Sequence, residues 1–335
     1  MSSLTLSALC SDDPIAFLAA LGIVEVLRSE AGVPDEDLRL GWEAVGGPAL
    51  LETPFPTVDA LIQALQEAAE QMQRDDRPVP ARLADLVPRI YTDKERSEIE
   101  RMTGVKPPFD AVRTSRRAWT ERVAQVAWTT SRTDLRWLCA LVDQCSTFPG
   151  EETAHVTPLY APVGRQRMRQ IYETKLRAVV GDPDLLRQAC LMWRRNPNDA
   201  GANLDRRAVR DGAVTADGEP RNAAVTGAEW LALQSAPWFR LGGARGRPTA
   251  WGWTATGRRG RPRALLWPVW RQGLDPAAIE VILTHPLVRR AGERRGATEA
   301  LRALGVVAVL RADRATLTNS DGPLGPAQVL WPRTE

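Results

Sequence analysis

Between Arg240 and Arg263 the chain carries seven arginines, at 240, 245, 247, 258, 259, 261 and 263, and no acidic residue. Arg-Gly-Arg-Pro occurs there twice, at Arg245–Pro248 and Arg259–Pro262, with Trp251-Gly252-Trp253 between the copies. Guanidinium groups at this density neutralise phosphates and give salt-dependent affinity, and a flat aromatic ring beside them can stack on an exposed base. Arginine on a narrow, extended backbone is also the form that enters a DNA minor groove. A second polar stretch, Arg194–Asn222, adds Arg194, Arg195, Arg206, Arg207, Arg210 and Arg221, interleaved with Asn196, Asn198 and Asn203. Arginine and asparagine are common readers of base edges. The candidate nucleic-acid contacts are therefore Arg245, Arg247, Arg258, Arg259, Arg261 and Arg263 for phosphate, with Arg194, Arg195, Arg206, Arg207, Asn196, Asn198 and Asn203 beside them. The blander alternatives are a β-hairpin whose tryptophans pack inward and a solvated loop.

Catalytic constellations are harder to find. The two histidines, His155 and His285, each stand alone, without a second His, Cys or carboxylate at metal-ligand spacing. No Walker loop, GxGxxG after a strand, HExxH or GxSxG is present. Lysine occurs only at Lys94, Lys106 and Lys175, so a lysine-dependent phosphoryl-transfer site has few candidates. Asp182-Pro183-Asp184 reads as a helix cap, and the acid pairs Asp12-Asp13 and Glu151-Glu152 sit in turns or caps. These observations predict a chain that is not itself an enzyme, with no metal and no cofactor.

The elements that would position the arginines follow from periodicity and capping. Leu4–Cys10 reads as a strand. Asp13 followed by Pro14 opens a helix with an apolar face at Ile15, Leu18 and Leu21. Leu38–Ala44 and Ala49–Phe55 read as a hairpin around Gly46-Gly47-Pro48, and Thr57 caps the next helix. Residues 74–112 are rich in proline and charge and read as an irregular connection. Helices are predicted over Ser115–Val126, Thr133–Gln144 and Arg165–Val180. Arg165, Arg167 and Arg169 bunch at the dipole's unfavourable end of that last helix. Residues 146–163 read as loop, Arg194–Asn222 as a long ordered loop or lid, and Thr226 as the cap of a short helix. "TAWGWTA" and "RALLWPVW" read as the strands of a hairpin near residues 249–270, with "TGRRGRP" as its tip. Helices over Asp275–Leu283 and Ala297–Leu304 follow, then a closing hairpin of "VVAVLRA" and "ATLTN". The fold class is α+β, mixed helices with small antiparallel sheets.

Composition sets outer bounds. The chain has 335 residues, 44% hydrophobic and 25% charged, an ordinary globular balance. Its net charge of +3 hides an asymmetry. Residues 1–160 hold 16 basic and 25 acidic side chains; residues 161–335 hold 28 and 16. This predicts an acidic α+β N-terminal region over 1–160 and a basic, nucleic-acid-contacting α+β region over 161–335, which can form one continuous domain. No apolar run long enough to span a membrane and no signal-peptide pattern occurs. Cys10, Cys139, Cys145 and Cys190 form no CxxC pair, and Cys139 and Cys145 lie in an apolar helical pattern, as small buried hydrophobes do. The expected location is the cytoplasm.

Two segments carry a family resemblance. "DPIAFLAALGIVEVL … LGWE", at Asp13–Glu43, and "NPNDAGANLDRR … AVTGAEWLALQSAPWFRL … PTAWGW", at Asn196–Trp253, resemble the large-subunit proteins of type I-U (I-G) CRISPR effector complexes. The resemblance implies a non-catalytic subunit near the guide RNA's 5′ end. Such a subunit engages target DNA, reads the short flanking motif in the duplex and recruits a separate nuclease–helicase. Its partners would be target DNA, guide RNA and the other effector subunits. Two other classes stay open: a nuclease or nucleic-acid-processing enzyme of a defence locus, and a protein-interaction scaffold.

Overall fold

The computed structural model describes residues 1–75, 97–98, 100–102, 104, 124, 132–143, 155–160, 168–214, 220–244, 247–255, 262–291, 297–316 and 321–332. The expected helix over Ser115–Val126, apart from position 124, and most of the 74–112 connection lie outside them; within that connection residues 97–98 and 100–102 are helical, not irregular.

The chain begins with strand β1 (Ser2–Cys10) and helix α1 (Pro14–Ser29). The Asp13 carboxylate accepts from the amides of Ile15 and Ala16 at 2.9 and 3.1 Å, and Pro14 occupies the first turn, where its missing N–H costs nothing. Every residue of α1 from Pro14 to Leu27 is buried, including Glu25, which is paired with Arg136 at 3.1 Å. Strands β2 (Arg39–Trp42) and β3 (Pro48–Thr53) pair antiparallel, and β1 adds to the other edge of β3, giving the order β1-β3-β2. Thr57 caps α2 (Val58–Arg74) by accepting from the Ala60 amide.

Helix α3 (Arg132–Leu141) ends earlier than its apolar pattern suggests, because Val142–Asp143 turn into a short strand, β4. Its partner β5 (His155–Val156) lies inside the expected 146–163 loop. Helices α4 (Met168–Gly181) and α5 (Asp184–Leu191) follow. Arg169 in α4 is paired with Glu173 one turn on; Arg165 and Arg167 lie outside the described residues. Strands β6 (Val209–Val214) and β7 (Pro220–Asn222) form a small ribbon within the polar stretch. Helix α6 (Thr226–Gln234) is buried along its whole length and packs on α1. Thr226 is its first residue, not its cap: the Thr226 hydroxyl donates to Asp199 Oδ2 at 2.6 Å.

The second half builds a seven-stranded antiparallel sheet from β8 (Leu241–Ala244), β9 (Arg247–Ala250), β10 (Trp253–Ala255), β11 (Pro262–Trp270), β12 (Val306–Thr316), β13 (Asp321–Leu324) and β14 (Gln328–Trp331). "TAWGWTA" is two strands, not one. Gly252 takes φ +68° and turns the chain, so Ala250 faces Trp253. A Cβ there would lie 2.7 Å from the Phe239 ring, so glycine is required. "VVAVLRA" and "ATLTN" are not the two strands of a hairpin either: "VVAVLRA" and residues 315–316 belong to the single strand β12, the rest of "ATLTN" lies outside the described residues, and the strand that pairs back on β12 is β13. Helices α7 (Pro276–Thr284), α8 (Pro286–Arg289) and α9 (Ala297–Ala303) lie between β11 and β12. The fold is α+β.

The core is continuous between the halves. Phe17 of α1 stacks on Trp42 of β2 at 5.8 Å and meets Trp267 of β11 at 5.7 Å, while Trp42 meets Trp270 at 6.5 Å. Three indoles of the basic half donate to carbonyls of the acidic half: Trp238 to Leu21 at 3.1 Å, Trp267 to Ser11 at 2.9 Å and Trp270 to Leu40 at 2.7 Å. Cys190 is buried, but Cys139 is exposed, because α3 turns that face outward. Among the described residues no helix is long and apolar enough to cross a membrane.

Candidate nucleic-acid interface

The arginine-rich stretch spans four neighbouring strands. Ala244 at the end of β8 faces Arg247 at the start of β9, and Ala255 at the end of β10 faces Pro262 at the start of β11. At the other end Ala250 faces both Leu241 and Trp253. Antiparallel neighbours reverse direction at each step. The strand ends flanking Arg245 and those flanking Arg258, Arg259 and Arg261 therefore share one end of the sheet. Those four arginines lie outside the described residues, as does the side chain of Arg247. Arg263, near the start of β11, is half-buried.

The tryptophans of this stretch face inward or are covered. Trp253, Trp267 and Trp270 are buried, and the Arg314 guanidinium lies 5.6 Å over the Trp253 ring. Arg240 covers Trp251 at 4.9 Å and is itself paired with Glu280. The expected base-stacking partners at Trp251 and Trp253 are thus occupied by the protein's own arginines.

The second predicted group, on the 194–207 stretch, divides sharply. Its scaffold is a buried charge cluster. Lys175 of α4 places its ammonium 2.5 Å from Glu229 of α6 and 2.6 and 2.7 Å from the two oxygens of Asp199. Burial disfavours the ammonium, yet the two carboxylates outweigh it and hold the Lys175 pKa above its ordinary value. Asp199 is pushed up by burial, but Lys175 overrides this and holds it below the ordinary 3.8. Glu229, fully buried and sharing its cation, is raised. The Asp199 and Glu229 oxygens also take the amides of Gly201 and Ala202, and so shape the turn.

Asn196 pairs its backbone with Ala224 and accepts from the Asn198 amide at 2.9 Å; Asn198 is exposed. Asn203 takes φ +55°, and its carbonyl accepts from Arg314 at 3.2 Å. Arg314 is buried and also binds the carbonyls of Pro158 and Gly322. Arg195 donates to the Ala223 carbonyl at 2.9 Å and to Asp205 at 3.0 Å. Arg207 holds Asp205 through Nε at 3.0 Å and pairs with Asp13. Burial raises the Asp205 carboxyl, but Arg207 and Arg195 outweigh it and its pKa falls below 3.8. Arg194 and Arg206 are exposed and make no ion pair or hydrogen bond among the described residues. The geometry thus commits Arg195, Arg207, Asn196 and Asn203 to the fold and leaves Arg194, Arg206 and Asn198 at the surface.

Sequence reasoning missed the residues that organise this region. The signals were a lone lysine in an otherwise apolar helix face, Lys175, and an acid inside the apolar "GAEWLA" helix, Glu229. A buried charge at such a position needs a partner. His285 caps α8 through Nδ1, accepting from the Leu287 amide at 3.2 Å. Among the described residues no group of three or more His, Cys, Asp or Glu side chains could hold a metal ion.

A cleft of about 540 Å³ opens between the α1 N-terminus and the Arg206–Arg207 turn. Asp12, Asp13, Trp193, Asp205, Arg206 and Arg207 line it, together with apolar residues including Val45 and Val329. No protein-family model matches this chain, and no curated protein does.

Proposed function

We propose that this chain is a non-catalytic, DNA-contacting large subunit of a cytoplasmic CRISPR RNA-guided effector complex, acting with guide RNA, other effector subunits and a separate nuclease–helicase. The observation that carries the reading is topological. Both Arg-Gly-Arg-Pro copies join strand ends at one end of the large sheet. Arginines at this density suit a phosphate backbone, while guide pairing reads the sequence and the protein reads the flanking motif. The acidic first half suits basic protein neighbours.

The test is binding of the purified chain to duplex and single-stranded DNA across a salt series, with and without Mg²⁺. Changing Arg258, Arg259, Arg261 and Arg263 together to Ala is expected to weaken all sequences alike. It should also shallow the log–log salt slope by about one for each phosphate no longer neutralised. An unchanged affinity and slope would refute the sheet-end site. Mg²⁺-dependent cleavage would favour the enzyme reading instead.

A further inference from the structure

We infer that the cleft beside the α1 N-terminus is a nucleotide pocket that takes an unpaired, amino-bearing base, guanine best of the four. Its platform is Arg207. Two carboxylates from distant segments, Asp13 and Asp205, hold the guanidinium, and the Trp193 ring lies 5.1 Å beneath it. The Trp193 indole is in turn anchored by donating to the Ala189 carbonyl at 3.0 Å. Despite these contacts the Arg207 side chain stays 41% exposed, and it lines the cleft. A guanidinium clamped in this way is a rigid, flat, cationic surface of the kind on which unstacked bases settle.

The rest of the lining supplies what a nucleotide needs besides a platform. Arg207 and, on Asp205, Arg195 together offset the charges of Asp13 and Asp205. The lining charges left without an ion pair among the described residues are the exposed Asp12 carboxylate and the exposed Arg206 guanidinium, and Arg194 stands exposed next to Trp193. An arginine suits a phosphate. A lone carboxylate only accepts, so it selects a base edge that donates. Guanine presents N1–H and N2–H together, cytosine and adenine one amino group each, and thymine a single N–H flanked by two carbonyls that a carboxylate repels. Val45 and Val329, 44% and 52% exposed, add apolar surface to the lining. The volume of about 540 Å³ lies within the range of small-molecule sites, ~300–1,000 Å³.

The ligand is either a free nucleotide or an unpaired base within a strand. Only the second source rests on the DNA-binding reading. The test uses the full chain. Calorimetric titration with dGMP, dCMP, dAMP and dTMP is expected to rank dGMP tightest and dTMP weakest. Trp193→Ala should weaken dGMP about fivefold or more, and Trp193→Phe should restore most of that. Asp12 makes no side-chain hydrogen bond among the described residues, so Asp12→Asn leaves the fold intact and is expected to narrow the dGMP–dTMP gap. In the second arm, an oligo-dT strand with one central guanine is compared with oligo-dT alone by fluorescence anisotropy. A gain from the single guanine identifies a base in a strand; mononucleotide binding without that gain identifies a free nucleotide. No mononucleotide binding, or equal binding of all four unmoved by Trp193→Ala and Asp12→Asn, overturns the pocket. Failure of the sheet-end arginines in the salt series leaves the mononucleotide result standing, so the two readings fail separately.

Discussion

At the scale of single residues, Lys175, Asp199 and Glu229 decide the shape of the polar stretch that carries half of the candidate contacts. The ammonium and Glu229 are only 3% and 1% exposed, so water cannot replace a missing partner. Asp199→Asn removes one carboxylate from the shared cation and weakens the Thr226 and Gly201 hydrogen bonds. The expected loss is about 3 kcal/mol, read from urea denaturation near neutral pH. The pH dependence has a definite sign. The Asp199 carboxyl is held below 3.8, so its contribution is complete above that value and disappears as the pH falls through the lowered one. Glu229 is raised above 4.5, so its contribution runs oppositely, present below 4.5 and lost as the pH rises through the raised value. The gap between wild type and Asp199→Asn should therefore hold steady from neutral pH down to about 3.8 and narrow as the pH falls further. A constant gap would show that Asp199 is not an ionised partner of Lys175.

Among the elements, α1 and α6 approach so closely that glycine is obligatory at the crossing. A Cβ on Gly22 would fall 1.8 Å from the Leu231 carbonyl oxygen, and one on Gly227 2.2 Å from the Leu185 carbonyl oxygen. Helix α6 is thus gripped between α1 and α5, and the chain just beyond it carries Trp238 against Leu21. Gly22→Ala should destabilise by the upper part of about 1–3 kcal/mol, because backbone rather than a flexible side chain must move. Gly181→Ala is the control: nothing lies within 4 Å of its Cβ position, and removing glycine's extra unfolded-state freedom should leave stability level or slightly raised. Paired thermal melts check both. Equal melting points for the two variants would mean that the α1–α6 packing relaxes freely.

Over the whole molecule, the charge asymmetry does not divide the packing. The acidic half supplies α1 and the three-stranded sheet, and the basic half covers them with α6 and β11. Ser7 Oγ donates to the Leu191 carbonyl at 2.7 Å, and Leu40 and Leu274 exchange backbone hydrogen bonds at 2.9 and 3.0 Å. A fragment of residues 1–160 would expose Phe17, Trp42 and most of α1. It should fail to show a cooperative melt alone and regain one when mixed with residues 161–335. Independent cooperative melting of both fragments would refute the shared core.

Local chemistry makes several elements legible in the sequence. Asp13 before Pro14 and Thr57 before α2 carry their capping geometry in the residue types themselves. The alternation in β3 marks its inward face. Strand β12 is not legible in the same way, because Arg311, Asp313 and Arg314 look like turn residues. In the fold, Arg311 bonds Asp313 on the same face at 2.7 Å, and Arg314 is buried against backbone carbonyls. The sequence alone determined the α+β class, the main caps, the basic second half and the pair of Arg-Gly-Arg-Pro copies. Only the tertiary structure decided which arginines remain available. Arg207 meets Asp13 from the far end of the chain, Arg195 turns to Asp205, and Arg240 and Arg314 settle on tryptophans. Capping and alternation act between residues a few positions apart. A guanidinium, by contrast, is consumed or left free by whatever carboxylate, carbonyl or ring the fold carries to it.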